Sequence, residues 1–157
     1  MGFTAPNIDT VLAYYVEKSY NKYMKEIYDD LLICVADPLN IDESFVKNRA
    51  MSKVRRELEQ GIQGLEIKLN TVASSRGDYI FVTFSFGNDT NPFAQLVSET
   101  ILKVRKGGQG KKGFEKVVLF PKLCFLYDEA VHGEGKELEY LFDLAIECSS
   151  KSMYPKH

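Results

Sequence analysis

Residues Asp78 to Lys106 read DYIFVTFSFGNDTNPFAQLVSETILKVRK, and this stretch restricts the fold more than any other. Tyr79 to Phe86 is a run of aromatic and β-branched residues, the composition of a pleated and largely buried strand. Gly87 and Asn88 break it. Asn91 followed by Pro92 predicts a helix start, because Asn offers a side-chain oxygen to free N–H groups and Pro at the first helical position sacrifices no bond. Phe93, Leu96, Val97, Ile101 and Val104 then fall on one face at helical spacing, and Gly107 and Gly108 end the helix. A turn leading from the carboxyl end of a buried strand into a helix N-terminus is where α/β proteins place ligands, since unpaired N–H groups and the positive end of the helix dipole converge there. Asn88, Thr90 and Asn91 are therefore candidate nucleotide-binding residues. Asp89 opposes a phosphate directly beside it, and a simple capped turn accounts for the same residues.

A second strand is expected from about Lys116 to Leu126, after the Gly- and Lys-rich loop Gly107 to Gly113. Strand, helix and strand of this kind make a βαβ unit with parallel strands and a right-handed crossover. Pro121 removes a ladder hydrogen bond in the second strand, so Pro121 and Lys122 read as an edge or bulged strand protected by its charge. Lys122 is alternatively a ligand contact from the wall of a larger barrel. In the first strand Ile80, Val82, Phe84 and Phe86 alternate with Tyr79, Phe81, Thr83 and Ser85, and the second set turns polar toward the carboxyl end.

Upstream, Ile8, Val11, Leu12, Tyr15, Tyr23, Met24, Ile27 and Leu31 recur at spacings of three and four, which predicts a long amphipathic helix from Asn7 to about Cys34. Asp37 and Pro38 stop it. Asp42 caps a second helix reaching roughly Thr71, about 45 Å long at 1.5 Å per residue if unbroken. Its core stripe is Val54, Leu58, Ile62, Leu65 and Leu69. Gly61 and Gly64 interrupt it at about 1 kcal/mol each relative to Ala, which calls for close approach of another helix or backbone. Opposite the stripe lie Lys47, Arg49, Lys53, Arg55 and Arg56, a solvated face or, for Lys53 and Arg56, a contact to nucleotide phosphate. Ser74 to Gly77 and His132 to Gly135 read as loops. Lys136 to about Ser149 reads as a helix burying Leu138, Leu141, Phe142, Ala145 and Ile146.

At 157 residues the chain fits one domain, with residues 1–72 helical and residues 73–157 α/β. The hydrophobic share of 45% and charged share of 27% describe a globular protein, and a net charge of −2 with dispersed Lys and Arg excludes a nucleic-acid backbone as the expected partner. No apolar run reaches membrane-spanning length and no signal-peptide pattern opens the chain, so a cytoplasmic location and no membrane association are expected. Cys34, Cys124 and Cys148 form no CxxC pair and are expected as buried free thiols. His132 and His157 supply too few ligands for a metal site or a triad. Only two strands are convincing, and two alone are marginal, so the sequence reads as a slice of something larger.

Four segments add up to a family. Gln60 to Thr71 (QGIQGLEIKLNT), Phe84 to Pro92 (FSFGNDTNP), Leu119 to Leu123 (LFPKL) and Glu147 to Pro155 (ECSSKSMYP) resemble, in order and separation, segments of the anaerobic, class III ribonucleoside-triphosphate reductases. The resemblance covers the chain from about Lys47 onward, and the first helix resembles the family loosely. It implies part of a ten-stranded α/β barrel in a glycyl-radical enzyme that reduces ribonucleotides with a thiyl radical and formate. It also implies homodimers joined through the early helices, here Asn7 to Cys34 and Asp42 to Thr71, with ATP or deoxynucleotide effectors bound there and an activating enzyme as a further partner. Close helix packing then gives Gly61 and Gly64 a use.

The departures bear on activity. The radical cysteine would lie just beyond the segment ECSSKSMYP, the glycyl-radical loop and four-cysteine zinc site further on, and the first active-site cysteine upstream of Met1. None of Cys34, Cys124 and Cys148 matches a catalytic thiol, so no catalytic residue and no cofactor is assigned to this chain. Family members often carry His and Asn where Ile67 and Lys68 stand, and a Gly-Arg pair where Ala94 and Gln95 stand. The expectation is a reductase fragment inactive by itself; the alternative is a stand-alone, non-catalytic interaction or nucleotide-binding regulatory module derived from the reductase.

Overall fold

A computed structural model of the chain describes residues 2–35, 37–76, 81–108 and 122–152. Three parallel strands, β1 (Gly2–Ala5), β2 (Phe81–Phe86) and β3 (Lys122–Phe125), form one sheet with β2 in the middle. Gly2 pairs with Phe81 and Ala5 with Phe84, while Thr83 pairs with Lys122 and Phe86 with Phe125. The expectation of two strands is thereby corrected. β1 is only four residues, GFTA, too short to show a period of two, and only its pairing with β2 makes it a strand. The parallel pairing of β2 and β3 around a helix is as expected, and β3 lies at an edge of the described sheet, as its start beside Pro121 suits. Tyr79, Ile80 and the expected strand before Lys122 lie outside the described residues.

Between β1 and β2 the chain makes a helical hairpin. Helix α1 (Ile8–Cys34) and helix α2 (Glu43–Arg76) are joined by a short 3-10 turn, Pro38–Asn40. Asp37 accepts a bond from the Leu39 N–H at 3.0 Å and Asp42 one from the Ser44 N–H at 3.0 Å, so each short polar side chain satisfies a helix-start donor. Helix α2 runs unbroken through Gly61 and Gly64 and continues past the expected end, so residues 74–76 are helical rather than loop.

Helix α3 (Pro92–Gly107) lies at the centre of the core. Asn91 accepts from the Phe93 N–H at 2.9 Å, Pro92 occupies the first turn, and Gly108 ends the helix with a φ of 68°. Its Leu96, Val97, Ile101, Leu102 and Val104 pack with Val82, Phe84 and Phe86 of β2 and with Leu123 and Phe125 of β3. A helical turn, α4 (Glu129–His132), and helix α5 (Glu139–Ser152) close the other side through Leu138, Leu141, Ala145 and Cys148. A smaller cluster, Ile27, Val46 and Ala50, holds the far end of the hairpin.

Several expected positions differ. Cys34 is exposed at the last position of α1, and Cys124 is partly exposed because it alternates with the buried Leu123 and Phe125 and so lies on the other face of β3; Cys148 is buried. Leu65 is 40% exposed because Glu66 takes the inward position of α2, and Ile146 is exposed because the buried face of α5 runs through Leu141, Ala145 and Cys148. A Cβ added at Gly61 or Gly64 would meet nothing within 4 Å, so no close approach among the described residues explains either glycine.

Candidate functional site

The three parallel strands end at one edge of the sheet, and each leads there into a helix: β1 into α1, β2 into α3 and β3 into α4. Polar residues gather in these connections because the apolar faces below are already packed. In the turn after β2, Gly87 to Asn91, Gly87 is buried while Asn88, Thr90 and Asn91 are open to solvent.

Gly87 makes the turn feasible. Its φ of 111° disfavours L side chains, and an added Cβ would lie 2.6 Å from Cδ2 of Phe125 and nearer still to Cε2. Its N–H donates to Asp9 Oδ2 at 3.0 Å, and its carbonyl is 2.6 Å from His132 Nε2. The Asp128 N–H donates to His132 Nδ1 at 2.9 Å, which leaves the proton on Nε2 to donate to Gly87. Asp9 is fully buried at the start of α1; Oδ1 accepts from the Thr10 N–H at 2.9 Å and Oδ2 also from Ser98 Oγ at 3.2 Å.

The rest of the turn is tied down in the same manner. Thr10 Oγ1 donates to Asp89 Oδ2 at 2.6 Å, and the Asn91 N–H to Asp89 Oδ1 at 2.9 Å. Gln95 Nε2 donates to the Thr90 carbonyl at 2.8 Å, and Gln95 Oε1 accepts from the Tyr140 hydroxyl at 2.7 Å. Burial is the first cause raising the Tyr140 phenol above its ordinary 10.0, with Glu99 and Glu137 adding to it and Arg55 opposing. Among the described residues, the N–H groups of Asn88, Asp89 and Thr90 have no protein partner. The turn thus presents fixed donors beside one carboxylate, a set suited to a polar group with both donors and acceptors, such as a sugar, as much as to a phosphate.

Asn88, Thr90 and Asn91 are brought together here, and the other three sequence candidates are elsewhere. Lys122 begins β3 opposite Thr83, five residues before Asn88, which is about 16 Å along a strand rising about 3.3 Å per residue. Lys53 is exposed on α2 with Nζ 5.7 Å from the ring centre of Tyr23, and Arg56 is exposed on the same helix. Asp9 and His132 were not apparent as site residues. An acidic residue in the first turn of a helix reads as a dipole partner, and His132, expected in a loop, ends the helical turn α4 and is 2% exposed.

The core also holds a buried ion pair. Arg105 Nε donates to Glu66 Oε1 at 3.0 Å, both side chains being almost fully buried. The signal exists: Arg105 lies four residues after Ile101 and Glu66 four after Ile62, so opposite charges interrupt two apolar stripes.

A small parallel sheet with helices starting from one edge, where a braced polar turn projects, defines an α/β protein, a class that places ligands at such edges. The family model for anaerobic ribonucleoside-triphosphate reductase matches residues 2–157, and the chain belongs to that family. It is 37% identical over 155 residues to the anaerobic ribonucleoside-triphosphate reductase of Escherichia coli (strain K12) and 35% identical over 155 residues to that of Enterobacteria phage T4. Each alignment takes in 98% of this chain but only 20% and 24% of the respective relative, so the chain spans about a fifth to a quarter of their length.

Proposed function

We propose that residues 1–157 are one segment of an anaerobic ribonucleoside-triphosphate reductase, an oxidoreductase that converts ribonucleotides to deoxyribonucleotides for DNA precursor synthesis in the cytoplasm. The observation that carries this reading is the family match over residues 2–157. On this reading the β2–α3–β3 unit is part of the barrel wall and the α1–α2 hairpin part of a subunit interface. The turn Gly87 to Asn91 contributes nucleotide contacts through Asn88, Thr90 and Asn91. Lys53 and Arg56 on α2, and Lys122 on β3, contact phosphates brought by an effector or by a second subunit. The thiyl and glycyl radicals, zinc, formate and the activating enzyme act through segments outside these residues, so the chain alone is catalytically inactive.

Nucleotide binding tests the reading directly. Titration with ATP, dATP, dGTP and dTTP is expected to raise the melting temperature of the chain with at least one of them, as mass action requires for a ligand bound only by the folded state. Absence of any shift at millimolar concentration sinks the nucleotide assignment.

A second reading, a non-catalytic interaction module derived from the reductase, has one observation in its favour. The hairpin carries exposed Val11, Tyr14, Tyr15 and Ile67 beside an apolar groove of about 340 Å³ lined by Leu12, Val16, Val54, Leu58, Gly61 and Ile62. Such a surface suits protein association. Capture of a reductase subunit by the chain, without nucleotide-induced stabilisation, would favour this reading over the first.

A further inference from the structure

The Gly87 peptide is gripped from both sides by side chains that come from distant parts of the sequence. Asp9 of α1 takes its N–H at 3.0 Å, and His132 of α4 supplies a donor to its carbonyl at 2.6 Å. We propose that Asp9 and His132 are positioning residues for the turn Gly87 to Asn91: they fix the Gly87 peptide plane, so that the exposed groups from Asn88 to Asn91 are arranged before a polar ligand arrives. That the ligand is a nucleotide rests on the functional reading above.

Three observations support the assignment. First, both residues are polar where packing alone would be met more cheaply by apolar side chains. Asp9 is 0% and His132 2% exposed, and the three donors to Asp9 are all neutral. Burying such groups costs free energy unless each is hydrogen-bonded, so their presence at this edge of the sheet needs a reason other than core filling. Second, Gly87 has the widest backbone freedom of any residue type, and its φ of 111° is a conformation only glycine holds readily. Two opposed hydrogen bonds remove that freedom, and Phe125 excludes a bulkier residue as an alternative means of stiffening. Third, the ring of His132 is itself oriented. Nδ1 accepts from the Asp128 N–H, and the ring stacks with Tyr127 at a centroid distance of 5.5 Å and meets Phe125 at 5.0 Å. Affinity gained this way comes from preorganisation, with no contact between these two residues and the ligand.

The test uses the full chain with three variants, Asp9→Leu, His132→Phe and His132→Gln. Nitrogen-15 NMR of the wild type is expected to show His132 in its Nε2–H tautomer and the Gly87 amide protected from hydrogen exchange. Rapid Gly87 exchange or the opposite tautomer overturns the proposal even if every variant fails to fold. In folded His132→Phe and Asp9→Leu, Gly87 exchange relative to the Leu102 amide, and the dissociation constant for ATP or the best-bound deoxynucleotide, should each rise about tenfold, the effect of one lost buried hydrogen bond. His132→Gln, which can still donate to the Gly87 carbonyl, should recover most of both. A general loosening that moves Leu102 equally, or nucleotide affinity unchanged in all variants, overturns the positioning role. A wild type that binds no nucleotide refutes the functional reading instead, and the proposal is then decided by the exchange and tautomer results.

Discussion

Gly87 and two tyrosines show how much individual residues decide here. Gly87 combines a φ of 111° with contact distances to Phe125 that leave no room for a methyl group. Gly87→Ala is therefore expected to destabilise the chain by about 2 kcal/mol or more, from backbone strain plus overpacking, read as a lower urea midpoint at unchanged slope. The tyrosines report on alkaline pH. The Tyr23 phenol is raised above 10.0 first by its hydrogen bond to Glu57, then by burial and by the charges of Glu57 and Glu26. The Tyr140 phenol is raised first by burial. In both cases the folded state holds the proton more tightly than the unfolded chain. Their stabilisation is complete below about pH 10 and is lost as pH rises through the raised folded values. Urea midpoints should fall over that alkaline range, and less steeply in Tyr140→Phe.

At the level of elements, the long helix α2 poses the clearest question. Its two glycines face open space within the chain, so Gly61→Ala should stabilise an isolated monomer by about 1 kcal/mol through helix propensity alone. If a second helix packs there, the same change should instead weaken self-association. Thermal melts over a range of protein concentrations separate the two, because a shift in the melting temperature that depends on concentration reports association. Helix α3 behaved as its sequence indicates from Asn91 to Gly108, since cap, proline and apolar stripe all agree. Helix α5 starts three residues later than its sequence indicates: Lys136 and Glu137 are good helix formers, but Leu138 donates its N–H to the Val131 carbonyl at 2.8 Å.

For the whole molecule, the exposed apolar residues of the hairpin and the three-stranded sheet both point to surfaces that a larger assembly would cover. Light scattering is expected to find a dimer, in keeping with the interface role proposed for α1 and α2. Tyr15→Glu, which places a charge in the groove between them, should shift the chain to monomer without unfolding it, since Tyr15 is 60% exposed. A wild-type chain that stays monomeric at high concentration contradicts the proposed homodimer.

Local chemistry determined a good part of this protein. The strand from Phe81 to Phe86, the capped helix after it, the parallel relation of β2 and β3 and the two long helices follow from residue type and spacing within short windows. So does the family, through segments whose order along the chain is itself information. What depends on contacts between distant positions was decided only by the tertiary structure. β1 exists because Gly2 to Ala5 find β2 some eighty positions later. Asp9, Gly87, Ser98 and His132 become one hydrogen-bonded group because α1, β2, α3 and α4 meet at a single edge. Burial then changes the meaning of each: a charge at a helix start, a flexible glycine and a loop histidine in the sequence become a braced turn, because buried polar groups must find partners wherever the fold brings them.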